Sequence, residues 1–145
     1  MRVLYYARHD THHDGFVGDL DTLLGEADIV SLHVPGGAAT HHLIDAGRLA
    51  LMKPTAVLVN TARGTVVDEA ALANALEAGR LFAAGLDVYE REPAISPELL
   101  RAPRTVLLPH IGSASQATRT RMATMATEAV AIVLEGGTPA NIVKP

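Results

Sequence analysis

Arg63, Glu92 and His110 stand just beyond apolar runs of this sequence, and their types suit carbonyl chemistry. Glu92 follows Arg63 by 29 residues and His110 follows Glu92 by 18, separations that put the three on different strands. A carboxylate beside an imidazole orients the ring and raises its basicity, so the imidazolium can serve as a general acid near neutral pH. A guanidinium grips a carboxylate or a carbonyl oxygen through paired hydrogen bonds. The set therefore suits reduction of a 2-oxo acid, with His110 protonating the carbonyl oxygen and returning as base in the reverse direction. The hydride has to come from a cofactor, because no side chain donates one.

Positioning such a trio requires a sheet whose strand ends converge. Five β-branched or apolar runs, at residues 3–6, 29–34, 56–60, 82–88 and 105–108, predict strands. They are nearly continuous rather than alternating, which predicts a mostly parallel sheet with helices on both faces. Helical patterns fall between them at residues 20–27, 46–52 and 68–78, with Asp19, Asp45 and Asp68 as N-caps and Gly79 as a stop. A longer helix is predicted over residues 115–135, where Met122, Met125, Ala126, Ala129, Val130, Val133 and Leu134 keep helical spacing and read as a packing face. Gly136 to Pro139 end it and an extended tail follows. The fold class is α/β: a partial Rossmann-type doubly wound parallel sheet of about five strands with a long C-terminal helix. In such sheets ligands sit beyond the carboxyl ends of the strands. There the sequence places Arg8-His9, Pro35-Gly36-Gly37, Thr61-Ala62-Arg63-Gly64, Asp87 with Glu90-Arg91-Glu92-Pro93, and Pro109-His110-Ile111-Gly112-Ser113.

Composition narrows the partners. The 145 residues fit one domain, and the absence of cysteine removes disulfides, thiolate metal sites and thiol nucleophiles. A net charge of -4 with 3% aromatic residues supplies no phosphate-tracking stripe or base-stacking platform, so nucleic acid is not expected. No apolar run reaches the ~20 residues of a membrane span, and the cytoplasm is the expected compartment. His9, Asp10, His12, His13 and Asp14 lack the spacing of a metal site and read as a solvated loop; no metal is expected. His41 and His42 read as surface residues.

Three ordered segments, Val59-Asn60-Thr61-Ala62-Arg63-Gly64-Thr65-Val66-Val67-Asp68-Glu69, Gly85-Leu86-Asp87-Val88-Tyr89-Glu90-Arg91-Glu92-Pro93 and Leu108-Pro109-His110-Ile111-Gly112-Ser113, preceded by Ser31-Leu32-His33-Val34-Pro35, closely resemble the D-2-hydroxyacid dehydrogenases, the glyoxylate and hydroxypyruvate reductase group above all. The resemblance covers essentially the whole chain. It implies that Arg63 binds substrate, Glu92 is the partner carboxylate and His110 the acid/base. It further implies that Asp87 faces a nicotinamide carboxamide, that Val34 and Pro35 line an adenine pocket, and that Thr61, Ala62, Arg63, His110, Gly112 and Ser113 lie along the cofactor. Arg8, where an acid would bind the ribose hydroxyls of NAD, favours NADP over NAD.

The chain departs from that family in one respect. No two of its 12 glycines are separated by one residue, so it has no G-x-G-x-x-G turn. By resemblance Met1 aligns with the family's second strand, leaving the first strand, the glycine turn and most of the substrate domain upstream. Residues 1–145 then form an incomplete NAD(P)-binding domain, with 115–145 a helix and tail that pack toward the missing domain. With the central strand absent, the first two strands are expected to stand apart from the last three. The expectation is an oxidoreductase or part of one, self-associating or joined to an N-terminal segment. The alternative is a non-catalytic remnant or a partner-dependent module unable to bind the cofactor alone.

Overall fold

The computed structural model describes residues 1–143; Lys144 and Pro145, expected in the tail, lie outside the described residues. The chain divides into a unit from Met1 to Pro109 and a unit from His110 onward.

In the first unit, β1 (Ile29–Leu32), β2 (Val57–Asn60), β3 (Ala83–Leu86) and β4 (Thr105–Leu107) form one parallel sheet in the order β1-β2-β3-β4. Helix α1 (Leu20–Glu26) precedes β1, and α2 (Ala46–Leu51), α3 (Glu69–Glu77) and α4 (Pro97–Arg101) each carry the chain to the next strand. The caps act where the sequence puts them. The side chains of Asp19, Asp45 and Asp68 accept hydrogen bonds from Thr22, Arg48 and Ala71, and Gly79 takes a φ of 65° past α3, open to glycine without a Cβ penalty. Helix α4 was not foreseen. It is one turn long, started by Ser96, whose hydroxyl accepts from Leu99, and by Pro97 in the first turn.

Two expectations about the sheet are corrected. Residues 3–6 are not a strand: Tyr5 makes a single bridge to Phe16, its N–H bonding the Gly15 carbonyl and its carbonyl the Val17 N–H. Those two bonds use up the Tyr5 backbone locally, and no neighbouring strand offers a ladder. Nor do residues 29–34 stand apart from the later strands, because Ile29, Val30, Ser31 and Leu32 register directly against Val57, Leu58, Val59 and Asn60.

The sheet is also covered differently from the expectation. Burial alternates along β1, β2 and β3, with Val30, Leu32, Leu58, Asn60, Ala84 and Leu86 on the buried face. Leu24, Leu49, Leu72, Leu76 and Leu99 from α1 to α4 join the same core, so within this unit the helices lie on one face. On the other, Ile29 and Val106 are 61% and 62% exposed.

In the second unit, α5 (Gln116–Leu134) matches the predicted long helix, capped by Ser115 accepting from Thr118. No α5 residue is buried; the stripe read as a packing face, Met122, Met125, Val130, Val133 and Leu134, is exposed. No helix among the described residues is long and apolar enough to cross a membrane.

Leu72 is fully buried where α3 meets the sheet. Leu72→Ala is expected to cost about 2–5 kcal/mol through lost burial and the cavity left behind, read as a fall in the denaturant midpoint. A change within about 0.5 kcal/mol would mean that this core is not formed as described.

Candidate active site

Parallel register brings the strand ends together. Leu32, Asn60 and Leu86 are aligned across β1, β2 and β3, and Leu86 pairs with Leu107 of β4. The segments beginning with Val34-Pro35, Thr61-Ala62-Arg63 and Asp87 therefore leave one edge. Val34 is half-buried and Pro35 exposed; a Cβ on Gly36 would lie 3.0 Å from Arg63 Cγ, so this loop rests against the Arg63 stem.

The Arg63 turn is set by Asn60, a residue the sequence reading passed over. Asn60 is 1% exposed. Its Oδ1 accepts from the Ala62 N–H at 3.0 Å and its Nδ2 donates to the Arg63 carbonyl at 3.0 Å, closing the turn from both sides. Arg63 points its guanidinium outward, with Nη1 donating to the Ala62 carbonyl at 2.6 Å. Thr61 is exposed and Ala62 half-buried.

Glycine is required at position 64: a Cβ there would fall within the backbone of Tyr89 and Glu90. The Arg63 turn therefore lies directly on the segment that carries Glu92. That segment is clasped to the start of α3 by a reciprocal pair, the Glu90 N–H donating to Glu69 Oε1 at 2.6 Å and the Glu69 N–H to Glu90 Oε1 at 3.0 Å. A carboxylate at a helix N-terminus also meets the favourable end of the helix dipole. Glu92 Oε1 accepts from the Tyr89 N–H at 3.0 Å, and the Glu92–Pro93 peptide is cis. Arg63 and Glu92 are thus carried by two segments in direct backbone contact.

Asp87 is 5% exposed, with its N–H bonded to the Asn60 carbonyl at 3.0 Å. Tyr89 extends across the sheet, its hydroxyl donating to the Leu108 carbonyl at 2.7 Å, two residues before His110. His110 opens the second unit, exposed and with a left-handed φ of 57°, a backbone cost of about 1 kcal/mol of the kind that gathers at functional sites. Gly112 and Ser113 are exposed in the turn before α5. Arg8 is exposed at the start of the loop that Tyr5 closes through Asp10 and Thr11. His42, read as a surface residue, is instead half-buried, with Nε2 2.9 Å from Glu90 Oε1. No sequence pattern links positions 42 and 90; only the fold joins them.

These strand ends suit one end of a dinucleotide. Asp87 is a buried acidic residue at this edge, and the sequence has no G-x-G-x-x-G turn of the kind that cradles a pyrophosphate. Residues 1–112 match the family model for the NAD binding domain of D-isomer specific 2-hydroxyacid dehydrogenases. The chain belongs to this family. It is 47% identical to glyoxylate/hydroxypyruvate reductase B of Escherichia fergusonii over 100% of this chain and 47% of that protein. A crystal structure of a Thermus thermophilus protein superposes with a TM-score of 0.93 at 49% identity, covering 99% of this chain and 46% of the other. The NADPH-dependent glyoxylate/hydroxypyruvate reductase of Sinorhizobium meliloti, solved with NADP and malonate, superposes with a TM-score of 0.91 at 35% identity, covering 97% and 44%. The chain thus spans about half the length of these three proteins.

Burial pushes the Tyr89 phenol above its ordinary value of 10.0; the Asp87, Glu69 and Glu92 carboxylates add to the rise and the bond to Leu108 opposes it. The folded chain therefore keeps the neutral phenol longer than the unfolded chain does, and this stabilising contribution is complete below about pH 10 and lost as pH rises through the folded value. Tyr89→Phe is expected to lower stability by about 1 kcal/mol at neutral pH and to reduce its decline above pH 10, followed by denaturant midpoints against pH. An unchanged alkaline decline would remove Tyr89 as its source.

Proposed function

We propose that this chain is the cofactor-binding and proton-transferring part of an NADP- or NAD-dependent reductase of a small 2-oxo acid such as glyoxylate or hydroxypyruvate, with NADP favoured. The observation that carries the reading is the direct backbone contact between the Arg63 turn and the Glu92 segment at Gly64, beside the buried Asp87 at the same sheet edge.

Arg63 binds the substrate carboxylate and thereby orients the carbonyl. Glu92 serves as the partner carboxylate and His110 as the acid/base that delivers a proton to the carbonyl oxygen. When bound, the nicotinamide supplies the hydride to the carbonyl carbon, and hydride plus proton convert the 2-oxo acid into the 2-hydroxy acid. Asp87 accepts the carboxamide N–H, and Arg8 meets a 2′-phosphate. Val34 and Pro35 face the adenine, while Thr61, Ala62, Gly112 and Ser113 lie along the dinucleotide. The substrate is a small 2-oxo acid, the compartment the cytoplasm, and the assembly a homo-oligomer or a complex with an N-terminal segment; neither nucleic acid nor membrane is a partner.

A second reading, a module that holds cofactor only when joined to a partner segment, is favoured by the apolar residues left exposed, Ile29 at 61%, Val106 at 62% and Leu134 at 83%. Fluorescence titration separates the two. The first reading expects the protein to bind NADPH more tightly than NADH, and Arg8→Gln to remove that preference. Supplied with NADPH and glyoxylate, His110→Gln is expected to lower kcat by roughly 10²-fold or more. Binding of neither nucleotide supports the second reading, and near-normal turnover of His110→Gln would overturn the acid/base assignment.

A further inference from the structure

His42 is tied to both halves of the site. Its N–H donates to the Thr65 carbonyl at 2.8 Å, and two residues on the Ile44 N–H bonds the Val66 carbonyl at 3.0 Å, so the residue 42–44 segment runs along the turn that follows Arg63. Its ring reaches the other half, with Nε2 2.9 Å from Glu90 Oε1 and Nδ1 3.9 Å from Asp68 Oδ2. An ionised carboxylate only accepts, so the Nε2 proton must lie in the bond to Glu90. The same Glu90 oxygen accepts from the Glu69 N–H, so His42, Glu69 and Glu90 share one junction. The His41 ring stacks on that of His42 with centroids 4.0 Å apart. His42 also holds a φ of 48°, a conformation that a non-glycine residue keeps only when its surroundings impose it.

We propose that His42 is a positioning residue for the 2-oxo acid site: its backbone holds the segment that carries Arg63, its imidazole holds the segment that carries Glu92, and it thereby fixes the spacing of the two. It touches neither substrate nor cofactor in this role. Losing the imidazole removes a charge-assisted hydrogen bond from Glu90, loosens the reciprocal Glu69–Glu90 pair, and frees residues 89–92 to move relative to Arg63. The strand ends that face a dinucleotide keep their Asn60 and Asp87 contacts, so nucleotide binding is spared.

Only the kinetic part of the test rests on the reductase reading. His42→Leu removes the Nε2 donor, while His42→Gln places an amide N–H where it can replace it. By amide hydrogen exchange, His42→Leu is expected to lose roughly tenfold protection at Glu69 and Glu90 and His42→Gln to recover most of it. In glyoxylate reduction His42→Leu is expected to lose roughly tenfold in kcat/KM for glyoxylate with the dissociation constant of NADPH unchanged, and His42→Gln to restore most of the rate. Unchanged protection in His42→Leu overturns the proposal, as does a parallel loss of NADPH affinity or a Gln variant no better than Leu. If the wild-type protein reduces no 2-oxo acid, the reductase reading fails and the exchange measurement alone decides; if His42→Leu does not fold, recovery of protection in His42→Gln is compared with that in His42→Asn, whose shorter amide falls short of Glu90 and is expected to leave protection low, and equal protection in the two overturns the proposal.

Discussion

The absence of a side chain at Gly64 lets the turn after β2 lie against the backbone of Tyr89 and Glu90, and the candidate site is built around that contact. Beyond the last bond of the β2–β3 ladder, any side chain at position 64 would hold the two segments apart, because its Cβ would fall within the backbone of Tyr89 and Glu90. Here the approach is closed further by bonds from both sides: Asn60 shapes the turn that bears Arg63, and the reciprocal bonds of Glu69 and Glu90 draw the other segment onto the start of α3. The backbone positions that carry a cationic and an anionic side chain, Arg63 and Glu92, are thereby set by one junction. Such a scaffold suits a reaction in which a carboxylate has to be held while a proton is delivered nearby.

The sheet serves this junction through register. Leu32, Asn60 and Leu86 end in line, so three loops start from one level, and a single layer of helices pins the strands from behind through Leu49, Leu72, Leu76 and Leu99. The opposite face and the whole of α5 carry exposed apolar residues. Part of the apolar composition read as a sheet covered on both faces thus stands at exposed positions, among them Ile29, Val106 and Leu134.

Much of the architecture was legible because its determinants are local. Asp19, Asp45 and Asp68 announce helix starts, Gly79 a stop, and the apolar runs from residue 29 onward mark the strands that form. Residues 3–6 have equal strand propensity, yet a strand exists only with a partner, and Tyr5 finds just Gly15 and Val17. Helix α4 escaped notice because five residues show no period. In the candidate site, the placement of Arg63 and Glu92 beyond strand ends was legible. His42 was not, since a histidine in a polar loop looks solvated until the fold brings Glu90, 48 residues away, to its ring. Asn60 was read as a strand end because the hydrogen bonds of its side chain depend on a turn that only the three-dimensional structure reveals.

The role proposed for Arg63 at this junction is to recognise the carboxylate of a 2-oxo acid. It is tested most directly by comparing kcat/KM for glyoxylate with that for glycolaldehyde, a neutral aldehyde of similar size, in the wild type and in Arg63→Gln. The wild type is expected to prefer glyoxylate by roughly 10²-fold or more, and Arg63→Gln to remove most of this preference. A preference that survives the substitution would contradict it.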